Sequence, residues 1–212
     1  MKRQEQVGMQ IEHEVMIPMR DGSLMATGIY RPDNAGSAPL LLERTPYGKH
    51  LSSRSEITAA DPLNALSRAD VAARFVARGF AVAYQDTRGR YKSEGMFAKY
   101  LADGADDFDA VQALSAMPGI DGRVGMFGLS YSAHTQVAAA SMGAPALQAL
   151  FADSGGFSNA HRSGVRQGRA FKLKQTTWAL KQARLSPEAA VDLLLKAALE
   201  AEDARPWFTR MP

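Results

Sequence analysis

The 212-residue sequence has no cysteine, which excludes disulfides, thiolate metal centres and a cysteine nucleophile and leaves the redox compartment open. No run approaches the ~20 apolar residues of a membrane span, and Met1–Gln10 (MKRQEQVGMQ) lacks the apolar centre of a secretory signal. A cytoplasmic location is therefore expected, with no membrane partner. Internal repeats and low-complexity segments are also missing. Acid is absent from one long stretch: between Ser154 and Pro187 stand seven basic residues (Arg162, Arg166, Arg169, Lys172, Lys174, Lys181, Arg184) and no Asp or Glu. Of 25 basic residues in all, 18 remain elsewhere against 22 acidic ones, so a formal charge of +3 hides a remainder of −4. Such a patch is one mark of nucleic-acid binding. Neither aromatic interleaving nor a binding motif accompanies it, so it reads as a basic helical surface that meets acidic groups, and no nucleic-acid partner is expected.

What is present is ordinary globular material, 46% hydrophobic and 22% charged, enough for one large domain or one domain with an excursion. Ile11, His13, Val15, Ile17 and Met19 alternate with Glu12, Glu14, Met16 and Pro18, the period of a half-buried strand. Asp21-Gly22 supplies a tight turn and Leu24–Arg31 returns as the second arm of a hairpin. After the loop Pro32–Pro39 the pattern changes to alternating strands and helices. Strands are predicted at Leu40–Glu43, Phe80–Tyr84, Val124–Phe127 and Leu147–Ala152. Helices are predicted from Ser67 to a cap at Gly79, over Asp103–Met117 and over Tyr131–Met142. This alternation implies βαβ units and a mostly parallel sheet of six strands with an antiparallel N-terminal hairpin. Beyond Ser154 strands are expected to cease, with a helix over Phe171–Arg184 and another starting at Ser186-Pro187-Glu188.

The sharpest chemical signal is Val124-Gly125-Met126-Phe127-Gly128-Leu129-Ser130-Tyr131-Ser132-Ala133. A strand runs into Gly128-x-Ser130 and a helix leaves at once, the setting of a nucleophile elbow, which holds a Ser hydroxyl above the sheet. The helix N-terminus offers N–H groups to a developing oxyanion. The common pattern has Gly two residues after the Ser, where this chain has Ser132.

Six motifs occur in one order: Met19-Arg20-Asp21-Gly22, Arg44-Thr45-Pro46-Tyr47-Gly48-Lys49, Asp86-Thr87-Arg88-Gly89-Arg90, Ser93-Glu94-Gly95, Asp121-Gly122-Arg123-Val124-Gly125 and the turn at Ser130. Together they resemble the cocaine esterase / X-Pro dipeptidyl-peptidase-like branch of the α/β-hydrolases, which includes α-amino-acid ester hydrolases and acylases. The resemblance covers roughly Met16 to Asp153. It implies an incomplete α/β-hydrolase core over residues 1–153, followed by the beginning of a helical cap over 154–212. It also implies that Ser130 is the nucleophile, that the Tyr47 hydroxyl donates into the oxyanion hole and that Tyr131 adds a second donor through its backbone N–H. Gly48 stands where such proteins usually carry Asp, and Ala133 where they usually carry Gly.

Other polar positions are weaker candidates. Asp103, Asp106, Asp107 and Asp109 fall in the first turns of a helix, where acid suits the dipole, and are expected on a solvated face. Arg88 and Arg90 are expected to pin a loop, and Asp86 to border the site at the carboxyl edge of the sheet. Trp178 and Trp207 read as helix-packing residues. Ser attack needs a base and an acid, in chain order Ser, acid, His. Of four histidines, only His134 and His161 follow Ser130, and neither matches the position the resemblance assigns to the base.

The chain is thus expected to be the N-terminal portion of a serine hydrolase cleaving ester or amide bonds of a small molecule (esterase, acylase or dipeptidyl-peptidase in type), through an acyl-enzyme on Ser130 and without metal or organic cofactor. The alternative is a non-catalytic relic that serves as a binding or scaffold module. Homo-oligomerisation is left open. Residues 1–212 alone are expected to be weakly active or inactive and poorly soluble.

Overall fold

A computed structural model of the chain describes residues 8–33, 36–53, 57–58, 61–155, 166–167 and 170–171. Two units divide it, Met1–Gly156 and Phe157–Pro212. In the first, β1 (Met9–Pro18) and β2 (Leu24–Pro32) are followed by β3 (Ala38–Thr45), a short ladder of β4 (Ile57–Thr58) with β5 (Asp61–Ala65), and α1 (Arg68–Val76). Then come β6 (Ala81–Asp86), α2 (Asp103–Ser115), β7 (Ile120–Leu129), α3 (Tyr131–Ser141) and β8 (Leu147–Asp153). In the second unit β9 (Arg166–Gln167) pairs antiparallel with β10 (Ala170–Phe171).

Local chemistry accounts for the boundaries. The β1–β2 turn closes through Gly22, at φ 85°, whose N–H bonds Met19 O, while Asp21 Oδ1 accepts from Ser23 N–H. Ser67 caps α1, its hydroxyl oxygen accepting from Asp70 N–H at 3.1 Å, which satisfies one of the orphan donors of a first turn.

The main sheet has six strands in the order β1-β2-β6-β3-β7-β8. The pairs β1/β2 and β2/β6 are antiparallel, and β6/β3, β3/β7 and β7/β8 are parallel. Alternation along each strand feeds two cores. Leu40, Leu42, Ala81, Ala83, Val124 and Met126 pack with Ala110, Val111, Leu114 and Ala139 of α2 and α3. Val82 and Tyr84 pack on the other face with Ala72 and Val76 of α1. Both faces of the central strands are covered, so they read in sequence as continuous apolar runs. Beside α1, Leu41, Phe75, Phe127 and Phe151 border a groove of about 800 Å³, and Phe151 is 73% exposed.

Three sequence expectations are corrected. The stripe predicted along β1 is buried only toward its end: Ile17 and Met19 are buried, whereas Ile11 and His13 are exposed. The pairing register slips between Glu12 and Val15 at this sheet edge, and such a bulge re-aims the side chains before it. Strands do not cease at Ser154, because β9 and β10 follow, with the Gly168-Arg169 dipeptide between them in sequence. The β4–β5 ladder was not anticipated at all. The helices expected beyond Phe171, with Trp178 and Trp207, lie outside the described residues, and Phe171 itself is strand.

Candidate active site

Ser130 sits between β7 and α3 with φ 59° and ψ −109° and is exposed to solvent. A non-glycine residue at positive φ costs about 1–3 kcal/mol and persists only where its surroundings impose it. Here they do. Ser130 N–H bonds Asp153 O at the end of β8, and Ser130 O accepts from the N–H groups of Ala133 and His134. Gly128, at φ 138°, leaves no room for a side chain: an added Cβ would lie 2.5 Å from Ser132 Cβ. A Cβ on Gly155 would lie 3.0 Å from Ser130 O. The Ser130 side chain does not cap the first turn of α3.

Ser132 explains its own departure from glycine. Its buried hydroxyl donates to Glu43 Oε1 at 3.1 Å, and Glu43 is gripped by both Arg68 terminal nitrogens, one of them 3.0 Å away. The Arg68 guanidinium lies 4.6 Å from the Tyr84 ring centroid. A buried hydroxyl is tolerable because a buried carboxylate receives it.

Tyr131 opens α3, so its N–H stands at the positive end of the helix. Its side chain is buried, donates to Asp103 Oδ2 at 2.7 Å and accepts from Tyr100 N–H at 3.1 Å. Burial, then the Asp103 charge, drives its phenol far above the usual tyrosine range. Burial likewise pushes Asp103 up to about 6, against the Tyr131 hydrogen bond. Tyr100 stacks on Tyr131 with ring centroids 5.0 Å apart, and its own phenol is raised to about 12 by burial and then by Tyr47.

Tyr47 is half-buried on the loop after β3. Because β3 and β7 are adjacent and parallel, Tyr47 and Ser130 follow strands that end at the same sheet edge, where ligands bind in open α/β sheets. Several groups hold this loop. Arg90 Nε donates to Pro46 O at 2.9 Å, Tyr91 Oη to Tyr47 O at 2.8 Å and Lys49 N–H to Asp86 Oδ1 at 2.7 Å. The Lys49 ammonium is buried and reaches His13 O at 2.8 Å and Glu14 Oε1 at 3.1 Å. Burial raises Asp86 to about 6. Burial also pushes Glu14 up, but hydrogen bonds from Lys49, His50 and Lys92 together outweigh it and bring Glu14 to about 2.

The acids of α2 are not on a solvated face. Asp103, Asp106 and Asp107 are buried, and each meets a partner from far along the chain: Tyr131, Arg88 and Arg44 respectively. Asp109 is paired with Arg20 at 2.8 Å. Their location at a helix start gives no hint of this, because the partners come from other segments. Arg88 and Arg90 do pin loops, Arg88 by joining Asp106 to Asp21 and Arg90 through Pro46.

His134 lies within this cluster: its ring is 4.2 Å from Tyr100 and its Nε2 is 3.5 Å from Asp103 Oδ2. Burial lowers its pKa, and nearby Lys99 lowers it further. His161 falls outside the described residues. Among the described residues no group of three or more His, Asp or Glu side chains is arranged to hold a metal ion. Sequence reasoning missed Glu43, Tyr91 and Tyr100 as neighbours of the site, and no motif pointed to them; of the loop's neighbours only Lys49 stood within the motif around Tyr47.

Comparison with known proteins matches residues 21–210 to the X-Pro dipeptidyl-peptidase (S15) family. Cocaine esterase from Rhodococcus sp. (strain MB1 Bresler) is 39% identical over 140 residues, which are 66% of this chain and 23% of that protein. An α-amino acid ester hydrolase structure matches with a TM-score of 0.63 at 28% identity, over 88% of this chain and 32% of its own. A CocE/NonD family hydrolase from Staphylococcus aureus, at 20% identity, shares the fold with a TM-score of 0.70 over 93% of this chain and 40% of its own. The chain thus spans about a quarter of the curated relative's length. With a family match that runs from the first turn to near the last residue, and the same α/β-hydrolase sheet beneath it, the chain belongs to the X-Pro dipeptidyl-peptidase (S15) family, in its cocaine-esterase-like branch.

Proposed function

We propose that this chain carries the nucleophile and oxyanion-binding part of a serine hydrolase that cleaves ester or amide bonds in small molecules. The observation that carries the reading is the exposed Ser130 held at positive φ on a sharp turn from β7 into α3, the geometry a nucleophile elbow needs. In the acylation step Ser130 Oγ bonds to the carbonyl carbon and the alcohol or amine leaves with a proton. Water then releases the acid and restores the hydroxyl. The Tyr47 phenol and the Tyr131 N–H donate to the oxyanion, the phenol without adding a charge. The base and its acid come from outside the described residues, and the segment from 154 onward begins a cap. The ester- and peptide-cleaving names of the relatives support the substrate class.

The test is labelling of the intact protein by a fluorophosphonate probe. Labelling is expected for the natural sequence and none for Ser130→Ala. A natural protein that resists the probe would instead favour a binding module that keeps the turn without its chemistry.

A further inference from the structure

The loop that carries Tyr47 has a feature that loop packing alone does not require. Gly48 lies at φ 99°, and a Cβ there would meet Tyr91 Cζ at 2.8 Å and Tyr91 Oη at 3.0 Å. The phenol of Tyr91 therefore lies across the bare Cα of Gly48, and no other residue at 48 leaves it that space. Tyr91 is itself a non-glycine residue at positive φ, 52°, a conformation that surroundings must impose. Tyr91 is 45% exposed. Yet its hydroxyl, instead of turning to water, donates to the main-chain oxygen of Tyr47 at 2.8 Å. The neighbouring Arg90 fixes the preceding peptide through Pro46 O, and its guanidinium carbon lies 5.8 Å from the Tyr91 ring centroid. Two successive carbonyls of one loop are thus held by two successive side chains of another.

We propose that Tyr91 is a positioning residue for Tyr47: by holding the Tyr47–Gly48 peptide plane, its hydroxyl fixes the direction in which the Tyr47 phenol is presented to the oxyanion. This rests on the reading of Tyr47 as an oxyanion donor. Hydrogen-bond donation to a developing charge depends steeply on placement, so a donor free to swing loses much of its benefit while ground-state binding is little changed.

The experiment is a double-mutant cycle in the intact protein, with kcat and KM measured on a p-nitrophenyl ester. Tyr91→Phe removes only the hydroxyl and keeps the ring over Gly48. Its expected effect is a fall in kcat of about tenfold with KM within about twofold. In a Tyr47→Phe background the same change is expected to have no further effect, since there is no phenol left to aim. If Tyr47→Phe lowers kcat but Tyr91→Phe changes nothing, or lowers it equally in both backgrounds, the positioning role is overturned and the Tyr47 reading stands. If Tyr47→Phe itself leaves kcat unchanged, the oxyanion reading fails and the positioning role falls with it.

Discussion

Arg44 and Asp107 form an ion pair with neither side chain exposed to solvent, at the foot of the loop that carries Tyr47. Arg44 Nε also donates to Gln85 Oε1 at 2.5 Å, and Gln85 Nε2 donates to Thr27 Oγ1 at 2.9 Å. A single polar chain thus crosses β2, β6 and β3 and ends on α2. Burial pushes the Arg44 guanidinium down, while Asp106 and Asp103 pull it back. Breaking such a pair on one side strands a charge, at about 3–5 kcal/mol, whereas replacing both partners by apolar groups is often close to neutral. Asp107→Leu is therefore expected to lower the urea midpoint strongly, and Arg44→Met with Asp107→Leu to recover most of the loss. A double variant as unstable as the sum of the two single changes would contradict this account.

Gly128→Ala should be among the most damaging small substitutions in the chain. The added methyl would meet Ser132 Cβ at 2.5 Å and Glu43 Cγ at 3.1 Å, at a φ of 138°. A loss of about 2 kcal/mol or more is expected, together with loss of fluorophosphonate labelling as Ser130 moves. Adding Ser132→Gly relieves the contact but not the backbone conformation, so thermal unfolding should show partial rescue only.

The pH dependence of stability follows from Asp86 and Asp103, both raised to about 6 by burial. In the unfolded chain an Asp titrates near ~3.9, so the folded state binds the extra protons between the two values. Their contribution is fully present below pH ~4 and is lost as pH rises through about 6. Asp86→Asn, which still accepts from Lys49 N–H, is expected to flatten part of this fall when melting temperature is followed from pH 4 to pH 7. Glu14 acts in the opposite sense: its contribution is present above pH ~4.3 and is lost as pH falls toward about 2.

On β8, Leu150 is 42% and Phe151 73% exposed, and among the described residues this strand is paired only with β7. Unpaired edges and apolar patches promote self-association. The 212-residue chain expressed by itself is expected to form higher oligomers by light scattering, and Phe151→Lys to increase the monomer fraction. An unchanged size distribution would remove Phe151 as the cause.

The sheet was largely legible in the sequence because its signals are local. The Asp21-Gly22 turn, the apolar runs of β3, β6, β7 and β8 and the Ser67 cap each declare themselves within a few residues. The turn at Ser130 was legible for the same reason, since Gly128 and Ser132 stand beside it. The polar interior was not. Asp103, Asp106 and Asp107 look like dipole-suited surface acids until Tyr131, Arg88 and Arg44 are brought to them by the fold. Tyr91 carries no motif that points to Tyr47. Its role depends on a hydrogen bond across 44 positions.

The placement of β3 also sets the order in which the site can come into being. Leu40 of β3 pairs with Ala81 on one side and Val124 on the other, roughly forty and eighty residues later in synthesis, so its pairing is non-local and slow to form. The Tyr47 loop is synthesised before either neighbouring strand. It waits longer still for Asp153, whose carbonyl fixes Ser130. During that interval the apolar stretch at Leu40–Leu42 lacks its β6 and β7 partners, and transiently exposed apolar surface of this kind is prone to aggregate.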